Sequence, residues 1–477
     1  METTPSLQER LNNGFLLMLF TVLATWQLGL YPAGMHEDDA FFYFQIARNL
    51  IETGQSTFDG IGITNGYHLL WMWILSRVGM VFAQAMPIDL SLIAVSILPL
   101  AVFAWLCRPL VYLQILVACF FVGLGMEGVF AALLFLLLAW ALQERRYGLA
   151  MVFTIGVVLS RVDFVLCLVL LLIWAMATDR RLVMPLLLGT VFGVLLNFGG
   201  NYLITGEIFS ISSLQKSGIG RSIASPEMVV YNFTSTGNQT RICMWFAAMA
   251  VLLLARRKLG TDQDRLLFNP IFHLCLIAFI AAHSVTSALR DWYFAAPVLV
   301  AIYAAGHAAS GLSWRAMPTL VFCILLPAAV AVWQVNRHYE AAIAYRGYID
   351  ELTAIDKSPL FVFDGAGYIA WRLHPVAVIN GDGLVNSFNY ARNARNPDWF
   401  MTYLAENGVS RFVTNRALKT CITATICCED DSLEEVARVD TAHGGLADKT
   451  YAFKDGVACS LIPRSVPEGE AEDPPSE

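Results

Sequence analysis

From residue 15 to about residue 334 the chain repeats one pattern: a long apolar run, a short polar break, then another apolar run. Runs of this length read as membrane-crossing helices, and alternation of the breaks requires about eleven spans. The first run, Phe15–Tyr31, is preceded by little basic charge beyond Arg10, and it is long enough to span. It reads as a retained helix rather than a cleaved leader. Two runs, 149–160 and 164–178, are shorter than the usual ~20 residues. The stretch YHLLWMWILSRVGMVFAQ (67–84) is apolar enough to span, yet both its ends must lie on one side for the rest to alternate. It is expected to be interfacial or re-entrant. After Asn336 the texture changes. Short β-type runs, PLFVFD, VAVIN and RFVTN, stand between glycine turns and amphipathic helical stretches. The predicted fold is therefore an α-helical polytopic membrane domain (1–334), a small C-terminal α/β soluble domain (335–466) and a disordered acidic tail (467–477).

Directly after the first run comes HEDDAFFYFQIARNL (36–50). Gln45, Arg48, Asn49 and Glu52 recur at three- and four-residue spacing, with Phe42, Ile46 and Leu50 on the opposite side. This is an amphipathic helix, expected along the outer membrane surface. Asp38 shares its polar face; Asp39 is rotated toward Tyr43. Carboxylates at a helix N-terminus are stabilised as anions, and the plain reading is that both only cap the helix. The sharper reading is that one accepts a proton from a substrate hydroxyl.

Composition supports the membrane reading. Of 477 residues, 57% are hydrophobic and 14% charged, with mean hydropathy +0.58; soluble domains carry about 25% charged residues. The net charge of −7 comes partly from the tail PEGEAEDPPSE. No basic patch points to nucleic acid. If Arg108, Arg145–Arg146, Arg180–Arg181, Arg256–Arg257–Lys258 and Arg315 are cytoplasmic, then Glu127, Arg161, Asp163, the loop 205–240 and Arg290–Asp291 fall outside. The N-terminus is then inside and the C-terminal domain outside. Of ten cysteines, six lie in apolar runs. Cys421, Cys427, Cys428 and Cys459 lie late and lack zinc-like spacing; outside the cytoplasm a disulfide among them is open.

Other polar positions stand out because charge is scarce. FDGIGITNGYHLLW (58–71) places Asn65, Tyr67 and His68 beside an aromatic shelf, where a membrane interface would also place them. In GMEG, Glu127 is a carboxylate between apolar helices, functional by default unless a short loop carries it to water. In SRVDF, Arg161 and Asp163 form either a snorkelling pair or a phosphate fork. Lys216, in SSLQKSG, is the only lysine before residue 258; it reads as a solvated side chain or a point charge for phosphate. Asn232 and Asn238 sit in sequons that matter only in a eukaryotic secretory setting. LRDWYF (289–294) is an interfacial aromatic belt that could line a lipid groove. His273, His283 and His307 are isolated and read as structural.

Taken in order, EDDAFFYFQIARNL, TNGYHLLW, GMEG, SRVD and DGLVN (382–386) resemble the GT-C superfamily of membrane glycosyltransferases, which take sugars from polyprenyl-phosphate carriers. Aminoarabinose, protein mannosyl and arabinofuranosyl transferases belong to it. The resemblance covers nearly the whole chain. It implies Asp38 as general base with Asp39 as neighbour, and Glu127 and Arg161 shaping the donor site. Charge counting places Arg161 and Lys216 on the same side as Asp38, where both could stabilise a departing phosphate. Asn65, His68 and Asp163 complete the expected substrate site. Direct displacement with one essential carboxylate would invert the anomeric centre. No cofactor is expected, and a divalent metal is left open. The expected partners are a polyprenyl-phosphate-linked sugar, a saccharide, lipid or protein acceptor, and membrane lipids. The expected location is a bacterial inner or plasma membrane. Rival readings are a transporter or flippase of lipid-linked saccharides and a non-catalytic relative that binds them.

Overall fold

In a computed structural model of the chain, the polar breaks become helix ends. The structure describes residues 5–27, 36–217, 225–256, 266–286, 288–309, 343–354, 357–363, 365–414, 422, 426–428, 432–440, 447–454 and 461–463. The helical part comprises α1 (Leu7–Gln27), α2 (Asp38–Thr53), α3 (Leu69–Phe82), α4 (Ile88–Leu106), α5 (Pro109–Ala118), α6 (Glu127–Gln143) and α7 (Tyr147–Ser160). It continues with α8 (Val165–Thr178), α9 (Val183–Thr205), α10 (Ile211–Ser217), α11 (Pro226–Thr234), α12 (Thr236–Arg256), α13 (Pro270–Ser284) and α14 (Ala295–Ala309). Caps written in the sequence fix several starts. Ser225 accepts from Met228 N ahead of α11, and Asn269 accepts from Ile271 N ahead of α13, each satisfying an orphan amide at a helix entrance.

Among the described residues, four helical segments are long and apolar enough to cross a membrane: Ile88–Leu106, Arg180–Thr205, Thr236–Ala255 and Asp291–Ala309. Six further apolar helices are shorter. The structure thus describes an integral membrane protein in which, among the described residues, fewer helices reach full crossing length than the eleven expected spans. The reason is length: α3, α7 and α8 have 14 residues each, or about 21 Å, against a hydrocarbon core of ~30 Å. Each buries one side against protein and leaves another exposed, as at Trp73, Val152 and Ile173. Trp71 and Leu75 of α3, and Val157 and Val158 of α7, are fully or almost fully buried.

After a helix through 343–354 (α15), the chain forms β1 (Leu360–Val362), α16 (Ala366–Leu373), β2 (Val378–Asn380), α17 (Phe388–Asn393), α18 (Pro397–Glu406) and β3 (Arg411–Thr414). Then come β4 (Ile426–Cys428), β5 (Leu433–Asp440), β6 (Ala447–Phe453) and β7 (Leu461–Pro463). One sheet has the order β2-β1-β3-β6-β5, and β4 pairs with β7. β1 lies parallel to both β2 and β3, with Phe361 opposite Ile379 on one side and Phe412 on the other. Such a buried parallel centre explains why LFV and VIN are continuous apolar runs. β6 is antiparallel to β3 and β5. The domain boundary expected near residue 335 and the acidic tail lie outside the described residues. Cys428 is disulfide-bonded; Cys421 and Cys459 lie outside the described residues.

The soluble domain has its own core, with Phe361, Phe400, Leu404 and Phe412 fully buried. Its other face does not end in water. Tyr368, Ile369 and Trp371 of α16 join the same apolar cluster as Phe41 and Phe44 of α2. The polar stripe of α2 is not open to water: Gln45, Arg48 and Asn49 are buried, Gln45 and Arg48 against His374 and the Trp371 carbonyl at the end of α16, Asn49 against the Thr57 and Phe58 carbonyls.

Candidate functional site

The site forms where the first turn of α2 meets the starts of α6 and α8. Glu127, the first residue of α6, is fully buried. Arg161, between α7 and α8, donates through Nη1 to Glu127 Oε1 at 2.7 Å. It also donates through Nε and Nη2 to the two oxygens of Asp163, at 3.1 and 2.7 Å. The planar fork suits two carboxylates at once. Three of its five N–H donors are used by these bonds. Tyr43 donates its hydroxyl proton to Glu127 Oε2 at 3.0 Å and accepts from His68 N at 3.2 Å. His68 Nε2 lies 3.5 Å from Glu127 Oε1. Burial is the main reason that the Tyr43 phenol sits well above its ordinary value, with the charge of Glu127 adding to it.

His283 Nε2 lies 3.1 Å from Asp163 Oδ2. Its ring stacks on Tyr293, centroids 4.4 Å apart, and the Arg161 guanidinium sits 4.6 Å from the same Tyr293 ring. Sequence reading treated His283 as isolated. Its partner is 120 residues away, and no local spacing signals the pair.

Beside this network lies a cavity of about 50 Å³. Asp39, Tyr43 and Ile46 of α2, His68, Arg161 and Trp292 line it. So do Gly66, Ser212 of α10, and Leu384 and Val385 of the soluble domain. At roughly 10–15 Å³ per water it has room for a few waters. Ligand pockets run ~300–1,000 Å³, so the space present is small beside them. The soluble domain supplies one wall. A Cβ on Gly66 would stand 2.0 Å from Leu384 O and 2.9 Å from Val385 Cα, so only glycine permits this approach. The loop itself is held by Asp382, whose Oδ1 accepts from Asn380 Nδ2 and Leu384 N.

The predicted residues are thus divided. Asp39, His68 and Arg161 meet at the cavity, and Glu127 and Asp163 hold Arg161 from behind. Asp38 is not among the cavity-lining residues; its two carboxylate oxygens accept from Gly367 N at 2.9 Å and Tyr368 N at 2.8 Å. Asn65 is fully buried. Its amide nitrogen reaches Asn201 Oδ1, Thr205 Oγ1 and Phe209 O, each at 3.2 Å, and its Oδ1 accepts from Ile211 N. Asn65 thus braces the turn between α9 and α10. Lys216 falls on α10, but its side chain lies outside the described residues. Both sequon asparagines are buried. Asn232 Nδ2 donates to Ser284 O, and Asn238 Nδ2 to Asn232 O.

A second acidic group stands behind Asp39. Half-buried Glu37 hydrogen-bonds Asp291, and Arg241 pairs with Asp291. Burial first, and the neighbouring Asp291 charge second, raise the Glu37 carboxyl well above its usual range. Among the described residues, no group of three or more His, Cys, Asp or Glu is placed to hold a metal ion.

The structure is similar to the crystal structure of ArnT from Cupriavidus metallidurans bound to undecaprenyl phosphate. The match has TM-score 0.53 and 16% sequence identity, over 94% of this chain and 99% of that one. The chain has an ArnT-like fold. ArnT from the same organism in the apo state aligns over 92% of this chain and 98% of that one, with TM-score 0.49 and 13% identity. No protein-family model matches the sequence, and no curated protein does. The ArnT-like fold agrees with the expected helical membrane domain followed by a small C-terminal α/β domain.

Proposed function

We propose that the chain is an integral-membrane glycosyltransferase that moves a sugar from a polyprenyl-phosphate donor to an acceptor hydroxyl at the outer face of the membrane. One observation carries the reading: a carboxylate, an imidazole and a guanidinium, those of Asp39, His68 and Arg161, converge on one cavity between membrane helices and the soluble domain. The bound carrier in the ArnT crystal structure supports the lipid-phosphate part.

Asp39 takes the proton of the acceptor hydroxyl as its oxygen attacks the anomeric carbon. The bond from that carbon to the phosphate oxygen breaks, and the electron pair leaves with the polyprenyl phosphate. Arg161 and His68 face the charge that develops there, and the guanidinium stabilises it. A single displacement inverts the anomeric centre. The resemblance pointed to Asp38 as the base. Asp39 is preferred here because it lines the cavity, whereas the Asp38 oxygens accept backbone amides of α16. Leu384 and Val385 must withdraw from Gly66 before a sugar can enter.

The test is turnover. Purified full-length protein in detergent is given a panel of labelled undecaprenyl-phosphate sugars, and sugar transfer or slow hydrolysis is read. Turnover of one donor supports the enzyme. Saturable donor binding without turnover of any donor supports a non-catalytic carrier-binding protein, and movement across a vesicle bilayer without turnover supports a flippase.

A further inference from the structure

We propose that Asp38 is a positioning residue. It clasps the soluble domain to α2 and thereby sets the direction of Asp39. The inference rests on the functional reading above for its consequence, but not for its structural part.

The clasp is a cluster of contacts along one helix face. At its head, Asp38 accepts the amides of Gly367 and Tyr368 at the N-terminal turn of α16, where a helix favours an anion. Charge-assisted bonds to backbone amides are among the stronger kind. Gly367 is required for the approach, since a Cβ there would stand 2.2 Å from Asp38 O and 2.9 Å from Asp38 Oδ2. One turn on, the Phe41 ring meets the Tyr368 ring edge-on at 5.0 Å. Further along, buried Arg48 donates to Trp371 O at 3.2 Å and stacks 4.1 Å from the Trp371 ring. At the far end of α16, His374 lies 3.2 Å from Glu52 and 3.4 Å from Gln45. The polar stripe of α2 is thus a docking surface for α16.

Helix geometry connects this to the cavity. Successive residues turn by about 100°, so holding the Asp38 carboxylate on α16 fixes the azimuth at which Asp39 leaves the next position. Loss of the clasp frees the first turn of α2 and misaims Asp39. It removes no group that touches substrate.

The experiment compares wild type with Asp38→Asn, Gly367→Ala, the pair of these together, and Asp39→Asn. All are full-length chains in detergent. Hydrogen exchange is read at the 366–368 amides, and turnover against pH is read with the undecaprenyl-phosphate sugar that wild type consumes. Asn presents an NH₂ to one of two amides, so exchange should rise about 10- to 100-fold in Asp38→Asn. Gly367→Ala should behave alike. The double variant should be no worse than the worse single, since both break one contact. Turnover should fall about tenfold to hundredfold through kcat, with the donor KM and the pH profile unchanged. Asp39→Asn should lose turnover while its exchange stays as in wild type. Unchanged exchange in Asp38→Asn would overturn the clasp. Multiplying losses in the double variant, or a changed pH profile in Asp38→Asn, would overturn the positioning role. If wild type consumes no donor, the enzyme reading fails, and the exchange measurement still decides the clasp.

Discussion

Removing the carboxylate of Glu127 is the sharpest perturbation of the network that holds Arg161. Glu127→Ala takes away the acceptor of the 2.7 Å bond from Arg161 Nη1 and of the 3.0 Å bond from the Tyr43 hydroxyl. Both donors come from buried residues: Arg161 is 3% exposed and Tyr43 5%. Asp163 still pairs with Arg161, so the guanidinium is not wholly orphaned. Breaking one side of a buried pair nonetheless costs about 3–5 kcal/mol. A loss at the lower end, about 3 kcal/mol, is expected because Asp163 remains. The assay is the apparent melting temperature and urea midpoint in detergent, with Glu127→Gln alongside. Gln keeps an acceptor and a similar shape, so it should recover roughly half of the loss. A loss under about 1 kcal/mol for Glu127→Ala would mean that water reaches Arg161 freely. That result would refute the preorganised network on which the proposed phosphate stabilisation depends.

Other expectations follow from single contacts. Gly66→Ala drives a Cβ into Leu384 O and Val385 Cα, which are backbone and cannot swing aside. It should cost about 1–3 kcal/mol in urea unfolding and lift the 382–387 loop, read as faster proteolysis there. Arg48→Ala loses the Trp371 carbonyl bond and the stacking, roughly 2–4 kcal/mol. Its pairing with half-exposed Asp89 adds little, and urea midpoints with and without Asp89→Asn would separate the two. Glu37 is a carboxyl whose folded pKa is raised from an ordinary value of 4.5. Its favourable contribution is therefore complete below that value and is lost as pH rises toward the raised one. Glu37→Gln should match wild type in acid and melt progressively higher than wild type above pH 4.5, seen in melting curves across pH.

Local pattern made much of this architecture legible. The apolar runs gave helices, and α2 was read from its own spacing. The strands LFV, VIN and RFVT fell where short β-branched and aromatic runs placed them. Charge scarcity alone singled out Glu127 and Arg161, which pair across 34 residues. What α2 faced was not legible. An amphipathic stripe states that one side is polar, and a membrane surface and a docked helix ask for the same stripe. The docked helix lies 329 residues further along the chain, at Gly367. For the same reason the sequence could not choose between two adjacent aspartates. Their roles separate only when α16 occupies one of them and the cavity receives the other. Asn65 looked like a substrate contact because a polar residue in an aromatic loop is chemically suited to either task. Its four hydrogen bonds to residues 201–211 required the fold.

The most direct measurement is the initial rate of sugar transfer by Asp39→Asn beside Asp38→Asn, at equal protein and on the same donor. A general base contributes about 10²–10⁴-fold. Asp39→Asn should therefore fall by at least about a hundredfold while Asp38→Asn keeps measurable turnover. Full activity in Asp39→Asn, with Asp38→Asn dead, would contradict the assignment and return the base to Asp38.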